Sequence, residues 1–326
     1  MTRRAVITGW GAYLPQHIVT NDDLAKTIDT NDAWIRERTG ICQRHIAAKD
    51  ELTSDLAAHA ARKAITKAGI APETIDLVIV ATTTPDDTLP ATAAKVQHKI
   101  GITGGAAFDI NAVCSGFLYG LSTADAYIAA GKAKTILVVG AETYSRILDW
   151  QDRGTCILFG DGAGAVILQA QQGAGTNDDA GILHTEIFSD GQYAPLLGSS
   201  GGVSSTQNAG YLFMQGKEIF RHAVSKMTAS VEHSLQHIGL NSDDIQWLVP
   251  HQANMRILQA TAKRLNIPEE RVILTVDKHA NTSAASIPLA LSLAADEGKF
   301  SSGDLIAIPA LGAGLTWGSC LLRWTA

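Results

Sequence analysis

The sequence lacks the closely spaced cysteines of a disulfide framework or a zinc site. Its 326 residues include four cysteines, none of which forms a C-x-x-C pair with another: Cys42, Cys114, Cys156 and Cys320. Small disulfide-rich domains and structural zinc sites both depend on such pairs or clusters. Any cysteine with a function is therefore expected to act as a free thiol, and no metal site is expected.

Long hydrophobic runs and an excess of basic charge are also missing. The longest apolar segments, such as residues 135–141, have the length of a β-strand, whereas a membrane span needs roughly 18 apolar residues. The apolar stretch after Arg4 covers only residues 5–7, which is too short for a signal peptide. Acidic residues outnumber basic ones by 32 to 26, which argues against nucleic-acid binding through overall basicity. We therefore expect a cytoplasmic protein with no membrane or nucleic-acid partner.

Glycine motifs for nucleotide cofactors are absent as well. Gly9-Trp-Gly11 and Gly162-Ala-Gly164 lack the third glycine and the strand-to-helix context of a dinucleotide fingerprint, and no P-loop occurs. What the sequence does contain is an alternation of patterns. Helical spacing covers residues 56–68 and 116–130, while β-type apolar runs cover residues 75–81 and 135–140. This alternation predicts an α/β fold.

The chain also repeats itself once. Ala68-Gly69-Ile70 is matched by Ile238-Gly239-Leu240, 170 residues later, and two further matches follow in the same order. A repeat of this length predicts two similar α/β halves, placed at residues 1–172 and 173–326, with the functional site where they meet. Two segments without a counterpart are expected to be insertions: residues 20–46 and 189–216.

Cys114 lies where a β-type run ends and a helix begins. The positive end of a helix dipole favours a thiolate, so we expect a lowered pKa and a nucleophilic role. The alternative is a buried structural cysteine. His251 follows Pro250 at the end of a strand, and Asn281 maps through the repeat near Cys114, at an equivalent helix start.

These three residues form a chemically economical set. A thiolate attacks acyl groups, while a neutral imidazole and a carboxamide can stabilise an oxyanion. Taken singly, His251 could be an ordinary histidine and Asn281 an ordinary helix N-cap. The segment Gly312-Ala313-Gly314 is flexible enough to bring a backbone N–H towards the same point, although it could equally be a simple turn.

Four motifs carry these residues: N-A-V-C-S-G-F around Cys114, V-P-H-Q-A-N around His251, H-A-N-T-S-A-A-S around Asn281 and the terminal G-L-T-W-G-S. Together with residues 29–41 and 152–164, they resemble the β-ketoacyl-acyl carrier protein synthase III family, condensing enzymes of the thiolase superfamily. The resemblance covers the whole chain. It implies an α/β, thiolase-like five-layered α-β-α-β-α fold made of the two halves, and a homodimer.

The resemblance also implies a reaction. An acyl-CoA would prime Cys114 as a thioester, and malonyl-acyl carrier protein would then lose carbon dioxide to give an enolate held by His251 and Asn281. The product would be a 3-oxoacyl-acyl carrier protein that initiates fatty acid synthesis. The N–H groups of Cys114 and Ala313 would form the oxyanion hole. Acyl-CoA is a substrate, so no cofactor is implied.

Further residues take roles from the same resemblance, and they fall into three groups. Those implied to contact CoA are Trp34, Arg38, Arg153 and Asn254. The residue implied to line the acyl pocket, from across the dimer, is Leu89, where relatives commonly have an aromatic side chain. Those expected to dock the acidic carrier protein are Arg221, Arg256 and Lys263.

The sequence leaves other functions open. The same chemistry could serve polyketide or other secondary metabolism, with an unusual starter. A Cys-His-Asn hydrolase would instead release the acyl group to water without consuming malonyl groups, and a non-enzymatic acyl-binding module would be indifferent to substitution of Cys114.

Overall fold

The computed structural model describes residues 2–325. The strands in this part of the chain are β1 (Thr2–Tyr13), β2 (His17–Thr20), β3 (Gln43–Ile46), β4 (Leu77–Ala81), β5 (Ala106–Ile110), β6 (Thr135–Thr143), β7 (Asp161–Gly173), β8 (Gly181–Ser189), β9 (Leu197–Ser199), β10 (Leu212–Met214), β11 (Trp247–Leu248), β12 (Leu305–Gly312) and β13 (Thr316–Arg323). The α-helices are α1 (Asn21–Ala25), α2 (Asp32–Thr39), α3 (Thr53–Ala68), α4 (Thr92–Lys99), α5 (Gly116–Ala129), α6 (Gly216–His237), α7 (Met255–Arg264), α8 (Val276–His279) and α9 (Ser286–Asp296). The helices and strands that the sequence predicts are present, with ends shifted by up to three residues.

Two sheets repeat one topology. The five-stranded sheet has the order β1-β7-β6-β4-β5, and the four-stranded sheet has the order β8-β13-β12-β11. In the five-stranded sheet, β7 pairs antiparallel with β1 and β6, and β6 pairs parallel with β4. In the four-stranded sheet, β13 likewise pairs antiparallel with β8 and β12, and β12 pairs parallel with β11. The counterpart of β5 is reduced to a single parallel bridge between Leu248 and Val272. The duplication inferred from the sequence is therefore visible in strand order and direction. We propose that the halves divide near residue 172, which is the penultimate residue of β7.

The layers follow from side-chain alternation along the buried strands. On β6, Ile136 and Val138 pack against α5 and α9, whereas Leu137 and Val139 pack against α3 and α4. Helices α5 and α9 also contact the inner face of the four-stranded sheet, whose outer face is covered by α6 and α7. Successive residues of a strand face opposite sides, so strands buried on both faces need apolar residues throughout. The result is the predicted five-layered α-β-α-β-α fold.

The two predicted insertions pack together over one end of the halves. Leu24 and Ile35 from the first insertion share an apolar cluster with Leu197 and Leu212 from the second. The first insertion is also tied to the segment that follows β6, because the fully buried Arg44 donates to the backbone oxygen of Ile157 at 2.9 Å. These segments therefore form the roof of the cleft described next. No helix in the described chain combines the length and apolar character of a membrane span.

Candidate active site

A cleft of about 550 Å³ lies between the two halves, under the insertions. Cys114, His251 and Asn281 all line it, so the structure brings together the three residues that the sequence singled out. The remaining wall is largely apolar and includes Leu158, Leu197, Met214, Ile219, Phe220, Met227, Ile257 and Leu311. Such a lining excludes water and strengthens any electrostatic interaction made inside.

Cys114 sits in a short 3-10 helix, Val113–Ser115, directly before α5. The turn is held by the Thr316 hydroxyl, which donates to the backbone oxygen of Ala112 at 2.9 Å. The thiol is buried, and burial raises its pKa to about 12. The expected lowering of this pKa is therefore wrong, because desolvation of the thiolate outweighs the favourable helix terminus. In the free protein Cys114 is a protonated thiol.

His251 lies in the loop after β11, where Pro250 was expected to place it. Its ring is buried, and its Nδ1 atom lies 2.7 Å from the hydroxyl oxygen of Ser286, the first residue of α9. Burial lowers the pKa of His251 to about 3, since no carboxylate compensates the cost of desolvating the cation. The imidazole is therefore neutral at physiological pH.

Asn281 precedes a second 3-10 helix, Ser283–Ala285, which leads into α9. Its Oδ1 atom accepts a hydrogen bond from the backbone N–H of Ser283 at 2.9 Å. The amide Nδ2 group has no hydrogen-bond partner in residues 2–325. The backbone of Asn281 pairs with the opposite segment at both ends, donating to Leu158 and accepting from Gly160. The carboxamide is thereby fixed on the cleft wall with its donor available.

The turns that carry Cys114 and Asn281 are equivalent in the repeat, but the two side chains are not at equivalent positions. Val113 and Ser283 are 170 residues apart and share a left-handed backbone, with φ of 51° and 50°. By this register the counterpart of Cys114 is Ala284, not Asn281, while Asn281 corresponds to Asn111. The two halves thus contribute similar turns, but the functional side chain stands at a different position in each.

The glycine-rich segment near the C-terminus packs directly against the Cys114 turn. A Cβ atom on Gly312 would lie 2.8 Å from the backbone nitrogen of Cys114, a distance that only glycine avoids. Ala313, the next residue, is buried and takes part in the same apolar cluster as Leu311. The backbone at both expected oxyanion positions is therefore close-packed.

Trp34, Arg38 and Arg153 lie together. The guanidinium carbons of Arg38 and Arg153 are 4.4 and 4.8 Å from the centre of the Trp34 ring. Asn254, the N-cap of α7, donates from Nδ2 to the backbone oxygen of Arg38 at 3.2 Å. Arg38 and Asn254 also line the cleft, so an aromatic and cationic surface continues from it.

The remaining predicted residues lie outside the catalytic group. Leu89 is 79% exposed and does not line the cleft of its own chain. Arg256 lines the cleft and donates to the backbone oxygen of Glu37 at 3.0 Å, while Lys263 lies exposed on the same helix face. Arg221 is paired with Glu218 at 2.6 Å, which offsets part of its charge.

Sequence reasoning missed two buried polar residues at this site. Ser286 is hydrogen-bonded to His251. It belongs to the motif around Asn281, but the sequence does not indicate which residue its hydroxyl contacts. Glu142 is fully buried at the end of β6 and accepts hydrogen bonds from the backbone N–H groups of Thr83 and Thr84. Burial raises its pKa to about 7. Within residues 2–325, no three His, Cys, Asp or Glu side chains are grouped as a metal ion would require.

The duplicated five-layered fold and a cleft that presents a thiol, an imidazole and a carboxamide define an acyl-transferring enzyme of the thiolase type. The family model of 3-oxoacyl-[acyl-carrier-protein] synthase III matches residues 108–191, and the model of its C-terminal part matches residues 235–324. The chain belongs to this family of condensing enzymes.

Individual relatives agree along the full length. A beta-ketoacyl-[acyl-carrier-protein] synthase III of Rhodospirillum centenum is 57% identical over 99% of this chain and 100% of its own. The crystal structure of the synthase III from Aquifex aeolicus VF5 superposes with a TM-score of 0.92 and 46% identity, covering 98% of this chain and 100% of the other. The corresponding enzyme from Pseudomonas aeruginosa PAO1 gives 0.93 and 44%, covering 99% of both chains.

Proposed function

We propose that this enzyme condenses an acyl-CoA primer, acetyl-CoA or one somewhat longer, with malonyl-acyl carrier protein. The products are 3-oxoacyl-acyl carrier protein, carbon dioxide and free CoA, and the reaction initiates fatty acid synthesis in the cytoplasm. The placement of Cys114, His251 and Asn281 on one largely apolar cleft is the observation that supports this reaction most strongly.

In the first half-reaction the Cys114 sulfur attacks the thioester carbonyl of acyl-CoA. Because the pKa of the free thiol is about 12, its proton leaves as the bond forms and ends on the departing CoA sulfur. The negative charge that develops on the carbonyl oxygen is held by the N–H groups of Cys114 and Ala313. The half-reaction yields acyl-Cys114 and free CoA.

The second half-reaction depends on which ring nitrogen of His251 carries the proton. The Ser286 oxygen accepts the Gln252 N–H at 3.2 Å, and we assign its hydroxyl proton to the hydrogen bond with the His251 Nδ1 atom. Nε2 then carries the ring proton and acts as a donor. We assign the His251 Nε2–H and the Asn281 Nδ2–H to the thioester oxygen of the malonyl group.

Loss of carbon dioxide leaves an electron pair that is delocalised onto that thioester oxygen as an enolate. Two preorganised donors in a dry cleft stabilise this charge without needing a cation. The enolate carbon then attacks the acyl-Cys114 carbonyl, and the C–S bond breaks to return the thiol after protonation. Both half-reactions use only the thioester substrates, and we therefore propose no resident metal or redox cofactor.

Substrate binding follows from the surface that leads out of the cleft. We propose that Trp34 and Arg153 flank the CoA adenine and that Arg38 contacts its phosphates. Both guanidinium groups lie against the Trp34 ring, so the adenine would take the place of the Arg153 guanidinium on that ring. Asn254 holds Arg38 through its backbone oxygen. The basic face of α7, with Arg256 and Lys263, supports docking of an acidic carrier protein nearby.

Strand β5 supports a homodimer. It is the edge strand of its sheet, and its residues are less buried than those of β4 and β6. An unpaired edge presents a row of N–H and C=O groups that a second copy can pair with. Leu89, largely exposed, belongs to the loop between β4 and α4 and is available to a partner subunit from there.

One experiment separates the candidate functions. The enzyme is incubated with a series of acyl-CoAs, and its intact mass is measured by mass spectrometry. Malonyl-acyl carrier protein is then added, and the release of carbon dioxide and the formation of 3-oxoacyl product are measured. We expect a stable acyl adduct on Cys114 that disappears only with malonyl consumption. Release of free acid without malonyl consumption would identify a hydrolase, and preference for an unusual starter over acetyl-CoA would favour secondary metabolism.

A further inference from the structure

A second groove, of about 770 Å³, runs along β1 between α3 and α9. Its apolar wall contains Trp10, Leu14, Leu289 and Leu293. Its basic side is formed by residues of α3, namely Arg62, Lys63 and Lys67. Strand β1 is at the opposite edge of its sheet from β5, so pairing of two copies through β5 would leave this groove open.

The groove carries an excess of positive charge in an acidic protein. Lys67 pairs with Asp296 at 2.7 Å, but neither Arg62 nor Lys63 has a carboxylate within salt-bridge distance in the described chain. The Lys63 amine instead donates to the backbone oxygen of Ala12 at 2.7 Å. A single backbone oxygen leaves a lysine with further donors, so this amine can also bind an anion.

We propose that this groove binds an alkyl carboxylate of medium chain length, with the carboxylate at Arg62 and Lys63 and the alkyl chain along the half-buried Leu14 and Leu293. Basic side chains and an apolar wall in one groove match a ligand that has both a negative head and an apolar tail. The proposal does not rest on the proposed function, because the groove is separate from the catalytic cleft and is tested without turnover.

Protection of lysines from acetylation tests the site directly. The protein is treated briefly with acetic anhydride with and without octanoate, and modification of each lysine is measured by mass spectrometry. We expect octanoate to slow modification of Lys63 and Lys67 at least 3-fold while Lys132, outside the groove, is unaffected. Acetate and 1-octanol, which lack the tail and the charge respectively, should protect poorly. Unchanged labelling of Lys63, or equal protection by 1-octanol, would overturn the proposal.

A matched pair of variants locates the ligand. In Lys63→Gln, protection of Lys67 should need about 5-fold more octanoate, whereas Lys217→Gln, on the wall of the catalytic cleft, should leave that midpoint unchanged. Circular dichroism verifies that both variants are folded. A shift in Lys217→Gln without one in Lys63→Gln would assign the ligand to the catalytic cleft and refute the site.

Discussion

The Ser286 hydroxyl oxygen is shared by the His251 ring and the Gln252 backbone N–H, at 2.7 and 3.2 Å. This relationship ties the loop after β11 to the first residue of α9. It is the basis on which we assign the ring proton of His251 to Nε2. We therefore expect the orientation of the proposed oxyanion donor to depend on Ser286, which does not line the cleft.

Ser286→Ala should lower the decarboxylation rate about 10-fold or less, because one hydrogen bond contributes roughly 0.5–1.5 kcal/mol. Without the serine the ring proton is free to occupy either nitrogen. Acylation of Cys114 by acyl-CoA should stay at the parental rate. The two half-reactions are measured separately, by intact mass and by carbon dioxide release. Equal losses in both would indicate structural damage rather than a lost tautomer preference.

Substitutions of Cys114, His251 and Asn281 should affect different half-reactions. Cys114→Ala should form no acyl adduct, whereas His251→Ala and Asn281→Ala should still acylate. Removing one oxyanion donor should slow malonyl decarboxylation by on the order of 10²-fold or more. Carbon dioxide release from malonyl-acyl carrier protein is the measurement. Condensation at the parental rate in either donor variant would refute the assigned roles.

Much of this site was predictable because repeats and strand ends are encoded locally. Gly69 and Gly239 mark equivalent helix ends, with φ of 64° and 72°, and so revealed the duplication that builds both sheets. Cys114 and His251 were identified because each follows a strand: Cys114 follows β5, and His251 follows β11, the counterpart of β4. Both residues line the cleft between the halves. Those inferences needed only spacing and residue type.

What escaped prediction depends on depth of burial and on distant partners. The helix start at Cys114 is visible in the sequence, but the full desolvation that raises its pKa to about 12 is not. Glu142 follows an apolar strand and could as well have faced solvent. Its partners, the Thr83 and Thr84 N–H groups, are 59 and 58 residues away in the chain.

Charge reversal at Arg256 should weaken carrier-protein binding. Arg256→Glu is expected to raise KM for malonyl-acyl carrier protein, most strongly at low salt, because exposed charges are screened as ionic strength rises. Arg256 also borders the cleft, so Lys263→Glu, farther along the same face of α7, is the cleaner companion variant. Lys299→Glu is the control outside the patch. A matching loss in acyl-CoA loading for Lys263→Glu would contradict docking at this face.

Glu142 should make the protein less stable as the pH rises. Its folded pKa of about 7 lies above the ordinary value of 4.5, so the native state binds this proton more tightly than the unfolded state. The resulting stability is fully present below pH 4.5 and is lost as the pH rises through 7. Between pH 5 and 8 the loss should be about 2–3 kcal/mol.

Glu142→Gln removes that titration while keeping one oxygen acceptor. Urea unfolding at pH 5 and 8 should show the variant gaining stability relative to the parent at the higher pH. Glu297→Gln, at an exposed position, is the control for loss of a negative charge. An identical difference between Glu142→Gln and the parent at both pH values would show that Glu142 keeps one protonation state throughout this range.

Leu89 should control primer length only if a second subunit places it in the acyl pocket. In its own chain the side chain is 79% exposed and is absent from the cleft wall, so an effect on specificity has to come from across a dimer. Leucine is smaller than the aromatic side chain that the family resemblance implies at this position, and each additional buried methylene contributes about 0.8 kcal/mol. The parent should therefore accept primers a few carbons longer than acetyl.

Leu89→Phe should shift this preference towards acetyl-CoA, since the larger ring would shorten the pocket. Rates with acetyl-, butyryl-, hexanoyl- and octanoyl-CoA measure the profile, and sedimentation establishes the oligomeric state of each variant. Val203→Phe, at another exposed apolar position, controls for the addition of a surface ring. An unchanged chain-length profile in a dimeric Leu89→Phe variant would show that this residue does not line the pocket. A monomeric parent would leave residue 89 in solvent and would also contradict the prediction.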